Sequence, residues 1–188
     1  TTREQQQAGG TWAELFPPDS LLNQSQTAAL LAWLLAIEVI GLGAFPLLAL
    51  AFRRPDGSPA LADGGFAFAK IIGLLLAAFG AWWAASIHAA PFSPWLARAA
   101  IGAVAAAGAV AALARRRWLA ALIRARWRAL LVAELIFLLG FFSFALVRMG
   151  NPDLWHPYFG GEKPMDLAYL TATLKSTYFP PYDPWFSG

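Results

Sequence analysis

The sequence predicts an all-α integral membrane protein that crosses the bilayer about four times, N-out and C-out, with an interfacial helix and a proline/aromatic strap after the last span. Three observations predict it. Hydrophobic residues make up 59% of the 188 positions and Asp, Glu, Lys and Arg only 13%, about half the ~25% charged content of an average soluble domain. A soluble chain of this length could not cover so much apolar surface. The apolar residues also fall into runs long enough for a hydrocarbon core of ~30 Å, and arginines cluster in two of the gaps between them.

Residues 1–26 are polar and Gln-rich, with Gly9-Gly10 and Pro17-Pro18, and read as a flexible terminus. The first span is expected over 27–52, with Pro46 inside it, and Arg53-Arg54-Pro55-Asp56-Gly57 ends it. The second covers 66–88, with Lys70 near enough to its start to snorkel. Pro91-Phe92-Ser93-Pro94 is a tight connection to the third, 95–114, where Ala103, Ala106, Gly108 and Ala111 permit close helix approach. Residues 115–128 carry six arginines and no acid and read as a loop anchored by Trp118 and Trp127; the fourth span follows over 129–147. No signal peptide and no internal repeat is legible. The chain opens on Thr1 and stops just after a motif-rich stretch, which reads as a portion of a longer protein.

Orientation follows from the arginines. Loops 53–64 and 115–128 are Arg-bearing and belong on the cytoplasmic side, whereas 89–94 has neither Lys nor Arg. Alternation then puts the N-terminus and 149–188 outside a cell membrane. The net charge of +3 is explained by topology, so the lipid bilayer, and not nucleic acid, is the expected partner. The absence of cysteine excludes disulfides and thiolate metal sites.

Candidate chemistry concentrates in that outer tail, which holds all four tyrosines of the chain. Pro164 suits the first turn of a helix over 164–176, with Asp166 favoured in that turn by the dipole. Leu167, Leu170 and Leu174 give it one apolar stripe for the interface. Phe179 to Phe186 holds three prolines and reads as a stiff strap. Glu162 and Asp166, four apart, are the candidate catalytic carboxylates: one can act as general base toward a hydroxyl, and two can share a divalent cation, Mg or Mn. Lys163, Arg148 and His156 are the candidate phosphate-binding groups. Asp153, Trp155, Tyr182, Asp183 and Trp185 would shape the site. The plainer reading has Asp166 stabilising a helix start, Glu162 and Lys163 solvated, and His156 hydrogen-bonded locally.

Within the membrane, Glu38 near the middle of the first span is a functional candidate because a carboxylate in lipid must neutralise or find a partner. Glu134 is expected to reach toward Arg128, and His88 to sit at the interface.

Asn151-Pro152-Asp153 with Trp155-His156-Pro157, then Gly160-Gly161-Glu162-Lys163-Pro164-Met165-Asp166, then Phe179-Pro180-Pro181-Tyr182-Asp183-Pro184-Trp185-Phe186, resemble the signature of the so-called YYY membrane proteins. These are large multi-spanning bacterial and archaeal proteins with a domain of unknown function. Asp63 to Lys70 is similar to that family too, and the resemblance extends over roughly 27–188. The family in turn looks like a relative of the GT-C glycosyltransferases, which transfer sugars from polyprenyl-phosphate donors on the extracytoplasmic face. There an acidic motif opens the first large outer loop, the place Glu162 and Asp166 occupy here. The tyrosine triplet that names the family and its later spans are missing, so the resemblance implies the N-terminal portion of an enzyme, inactive alone. Two other readings stand beside it: a non-catalytic transmembrane subunit docking with other membrane subunits, and a transporter resting on Glu38.

Overall fold

The computed structural model describes residues 17–150, 163–181 and 183–184. Among them the fold is all helical, without strands: α1 (Leu21–Gln24), α2 (Gln26–Ala51), α3 (Phe66–Ser86), α4 (Pro94–Ala114), α5 (Arg116–Gly150) and α6 (Lys163–Lys175). Four of these, α2 to α5, are long and apolar enough to cross a membrane.

Serines open three of the helices. The hydroxyls of Ser20, Ser25 and Ser93 accept the backbone N–H of Asn23, Ala28 and Leu96 at 3.3, 3.3 and 3.2 Å, satisfying donors that a helix start leaves orphaned. Pro94 follows Ser93 in the first turn of α4, where its missing N–H costs nothing. α3 starts differently. The Asp63 carboxylate accepts Gly65 N–H at 3.0 Å and Ala67 N–H at 2.6 Å, folding the chain back through two glycines of positive φ, Gly64 and Gly65. α2 runs through Pro46, which is buried against neighbouring helices.

α2 is the centre of the bundle. The buried share of its most apolar window is 39%, against 28% for α3, 11% for α4 and none for α5. The core is built from Ala44, Phe45, Leu48 and Ala49 of α2, Ala69 of α3 and Leu122 of α5. α2 and α4 pack backbone to backbone at one point: a Cβ on Gly108 would fall on the carbonyl oxygen of Gly43. The small-residue seam expected in this helix is therefore narrow. Gly108 is its one fully buried residue, while Ala103 and Ala106 face outward.

The Arg-rich stretch 116–128, read from the sequence as a loop, is helix. Only Arg115 interrupts the path from α4 to α5. Arginine, alanine and leucine are good helix formers, and no Gly or Pro occurs between Arg115 and Leu139. At 35 residues α5 is ~52 Å long, well beyond a ~30 Å hydrocarbon core. Its first turns lie against the connection between α2 and α3. Trp118 Nε1–H donates to the Gly57 carbonyl at 2.9 Å, and the Arg53 guanidinium sits 5.4 Å from the Trp118 ring. In that connection the Ser58 N–H and hydroxyl donate to Asp56 at 2.9 and 2.7 Å, and these bonds hold the exposed Asp56 carboxyl below its usual range. Both Arg-bearing segments thus gather at one end of the bundle.

Candidate functional site

At the opposite end, α6 and the segment after it fold over the connection between α3 and α4. Phe92 N–H donates to the Thr177 carbonyl at 2.6 Å. The Phe92 and Phe179 rings lie 4.8 Å apart, and the His88 and Tyr178 rings 4.7 Å apart. His88, expected at the interface, is exposed and adopts a positive φ of 58° that turns its ring onto Tyr178. Ala172 and Ser176 are 1% exposed and Phe179 6%. Residues 176–181 are not helical, in keeping with three prolines in 180–184.

The buried face of α6 is not its leucine stripe, which is left to face the interface. Leu170 is 56% exposed, Leu167 and Leu174 are half-buried, and the tight contact is made by Ala172 with Ser176 one turn on. The Ser176 hydroxyl needs no outside partner because it donates to the Ala172 carbonyl at 2.7 Å.

Under this cover runs a cleft of about 600 Å³, within the range of small-molecule sites. Its walls are Ile40 of α2, Leu74, Ala77 and Ala81 of α3, and Ala97 and Ile101 of α4. Phe92, Thr173, Phe179 and Pro181 close one end. The lining is predominantly apolar, so the cleft suits a hydrocarbon chain. It pairs no charge with a ligand along its length.

The sequence candidates distribute unevenly around it. Asp166 is exposed in the first turn of α6, where the dipole favours a carboxylate. Arg148 is exposed in the last turn of α5. Asp183 is exposed beyond the part of the strap that closes the cleft. Lys163 begins α6, but its side chain, together with Glu162, His156, Asp153, Trp155, Tyr182 and Trp185, lies outside the described residues. The pair Glu162–Asp166 expected to share a Mg or Mn thus includes a residue outside the described ones. Among the described residues no cluster of three His, Asp or Glu could hold a metal.

A second constellation lies inside the bundle. Lys70 does not snorkel to the end of α3. Its stem fills the space over Gly41, where a Cβ would meet Lys70 Cγ at 2.5 Å, and its ammonium turns inward. Nζ donates to Glu38 Oε1 at 2.7 Å and to both carboxylate oxygens of Glu134 at 2.7 and 2.6 Å. It also lies 3.6 Å from the Phe137 ring centre and 5.8 Å from that of Phe66. Glu134 thus pairs with a lysine on another helix and not with Arg128 of its own. An isolated carboxylate on an apolar helix must have a partner, but sequence spacing proposes only local ones. The usable signal was that α2 and α3 each carry one ionisable residue, of opposite sign.

No curated protein and no solved structure matches this chain. A family model described as an uncharacterized membrane protein (DUF2298) matches residues 76–188. That range contains most of α3, all of α4 to α6 and the strap, more than half of the chain, and the protein therefore belongs to this membrane protein family.

Proposed function

We propose that this chain forms part of a GT-C-like membrane glycosyltransferase that takes its sugar from a polyprenyl phosphate, with 149–188 on the extracytoplasmic side of a cell membrane. The observation that carries the reading is the apolar cleft roofed by the motif-bearing segment. A polyprenyl chain needs an apolar channel open to lipid, and its phosphate must emerge beside the catalytic groups. Thr173 touches the cleft, and Asp166 lies seven residues earlier on α6, about 10 Å along the axis. In this mechanism Asp166, or Glu162, takes the proton from the acceptor hydroxyl as its oxygen attacks the anomeric carbon. The bond from that carbon to the phosphate oxygen breaks with inversion, and polyprenyl phosphate departs, steadied by Lys163, Arg148 or His156.

The orientation rests on the gathering of both Arg-bearing segments at the end away from the cleft. Cysteines at Ala89 and Ala125, both exposed positions, should divide accordingly in intact cells. Ala89→Cys should react with an impermeant maleimide and Ala125→Cys should not; the reverse pattern inverts the topology.

The cleft is tested by filling it. Ala97→Phe places a ring between α3 and α4 and should weaken binding of a photoreactive polyprenyl phosphate about tenfold or more. Labelled peptides from the wild type should come from α3, α4 and 173–181. Equal labelling of the variant and the wild type would remove the cleft as the lipid site.

The alternative, a non-catalytic subunit, is favoured by α5. Its most apolar window has no buried residue, and Ile136, Leu139 and Phe144 are 66–78% exposed. In that reading other membrane subunits pack along this helix. Retention of a partner by a variant carrying Ala97→Phe, with lipid binding lost, separates the two roles.

A further inference from the structure

The apolar interiors of α2, α3 and α5 contain one ionisable side chain each: Glu38, Lys70 and, between Arg128 and Arg148, Glu134. α4 contains none between Arg98 and Arg115. The three single charges, 32 and 64 residues apart in sequence, meet at one point at 2.6–2.7 Å. Convergence of this kind is not a by-product of packing, because each helix had an apolar residue as the cheaper choice at that position.

The charges do not balance. Two carboxylates face one ammonium, which leaves one negative charge without a counter-ion inside a layer that solvates none. Nor are the two carboxylates equivalent. Glu134 presents both oxygens to Nζ, whereas Glu38 presents only Oε1. Both are 24% exposed and Lys70 is 10% exposed, so the acids form the accessible side of the cluster.

We propose that the Glu38–Lys70–Glu134 cluster is an intramembrane proton-binding site that holds one exchangeable proton, on Oε2 of Glu38. Uptake forms one O–H bond from an aqueous proton, breaks none within the protein and makes the cluster neutral. Release returns the proton and leaves a net charge of −1. No other ionisable side chain of α2, α3, α4 or α5 lies within the apolar lengths that surround it, so the site titrates as one unit. A site of this type couples proton uptake to the contact between α5 and the α2–α3 hairpin, whatever reaction the opposite end performs.

The test uses the full chain in phosphatidylcholine vesicles. Infrared difference spectra are recorded across a pH series with ¹³C-labelled glutamate, so that the band is assigned to Glu. The wild type should show one protonated-carboxyl stretch at neutral pH that shifts in heavy water and vanishes on alkalinisation. Glu38→Gln should abolish it. Glu134→Gln should abolish it too, because either single variant leaves one carboxylate against one ammonium. Both variants should also lose the pH dependence of melting that the wild type shows. Absence of the band from the wild type at every pH, its survival in both variants, or its replacement by a sodium-dependent change would each overturn the proposal. Should one variant fail to fold, the other decides.

Discussion

Lys70→Met should lower the stability of the helical bundle by about 3–5 kcal/mol, the usual consequence of removing one partner from a buried ion pair. Methionine keeps most of the length and volume of the lysine stem over Gly41, so the loss does not come from a cavity. It comes from the Glu38–Glu134 pair, which on the proton-binding proposal still carries one negative charge at neutral pH, left with no cation beside it. The check is thermal unfolding in detergent at neutral pH. Adding Glu38→Gln and Glu134→Gln to Lys70→Met should recover most of the loss, because the triple variant has no charge left to satisfy. A Lys70→Met protein that melts with the wild type would mean that the carboxylates find another counter-ion, and the ammonium would then have no structural role.

On the glycosyltransferase function proposed above, Asp166→Asn should lower sugar transfer by about 10²–10⁴-fold, the range for loss of a general base. Asparagine preserves shape and still accepts hydrogen bonds, yet it cannot take a proton. Asp183→Asn should be milder, since Asp183 stands between Tyr182 and Pro184 in the strap. The informative comparison is turnover against melting temperature. Unchanged turnover with a small loss of stability, up to about 1 kcal/mol, would make Asp166 a helix-start carboxylate and nothing more.

The spans were legible because length and apolarity alone decide them, and the ends of α3 and α4 fall close to the expected ones. The start of α5 was not legible. Charge distribution speaks to which side of a membrane a segment occupies, and it is silent on whether that segment is helix or loop. The backbone preference of Arg and Ala decided that. The protein-packed face of α6 was not legible for a related reason. A leucine stripe marks an apolar face, but in lipid the apolar face is not the packed one, and Ala172 with Ser176 makes the contact. For the candidate site, Glu38 stood out by its position, whereas its partners did not. Lys70 lies too near the end of an apolar run to attract attention, and Glu134 has arginines within its own helix to suggest a local pairing. Pairings between helices depend on rotation and depth, which one sequence does not specify.

The single-residue joint at Arg115 makes α5 a lever. A joint so short forbids sliding along α4 and leaves rotation as the available freedom, with the Trp118–Gly57 bond beside the fulcrum. Glu134 lies 18 residues along the arm, about 27 Å from it. A swing of about ten degrees would carry Glu134 roughly 5 Å, and the far end near Gly150 roughly 9 Å. The first displacement is enough to part the carboxylate from Lys70, so the ionic contact opposes such a swing.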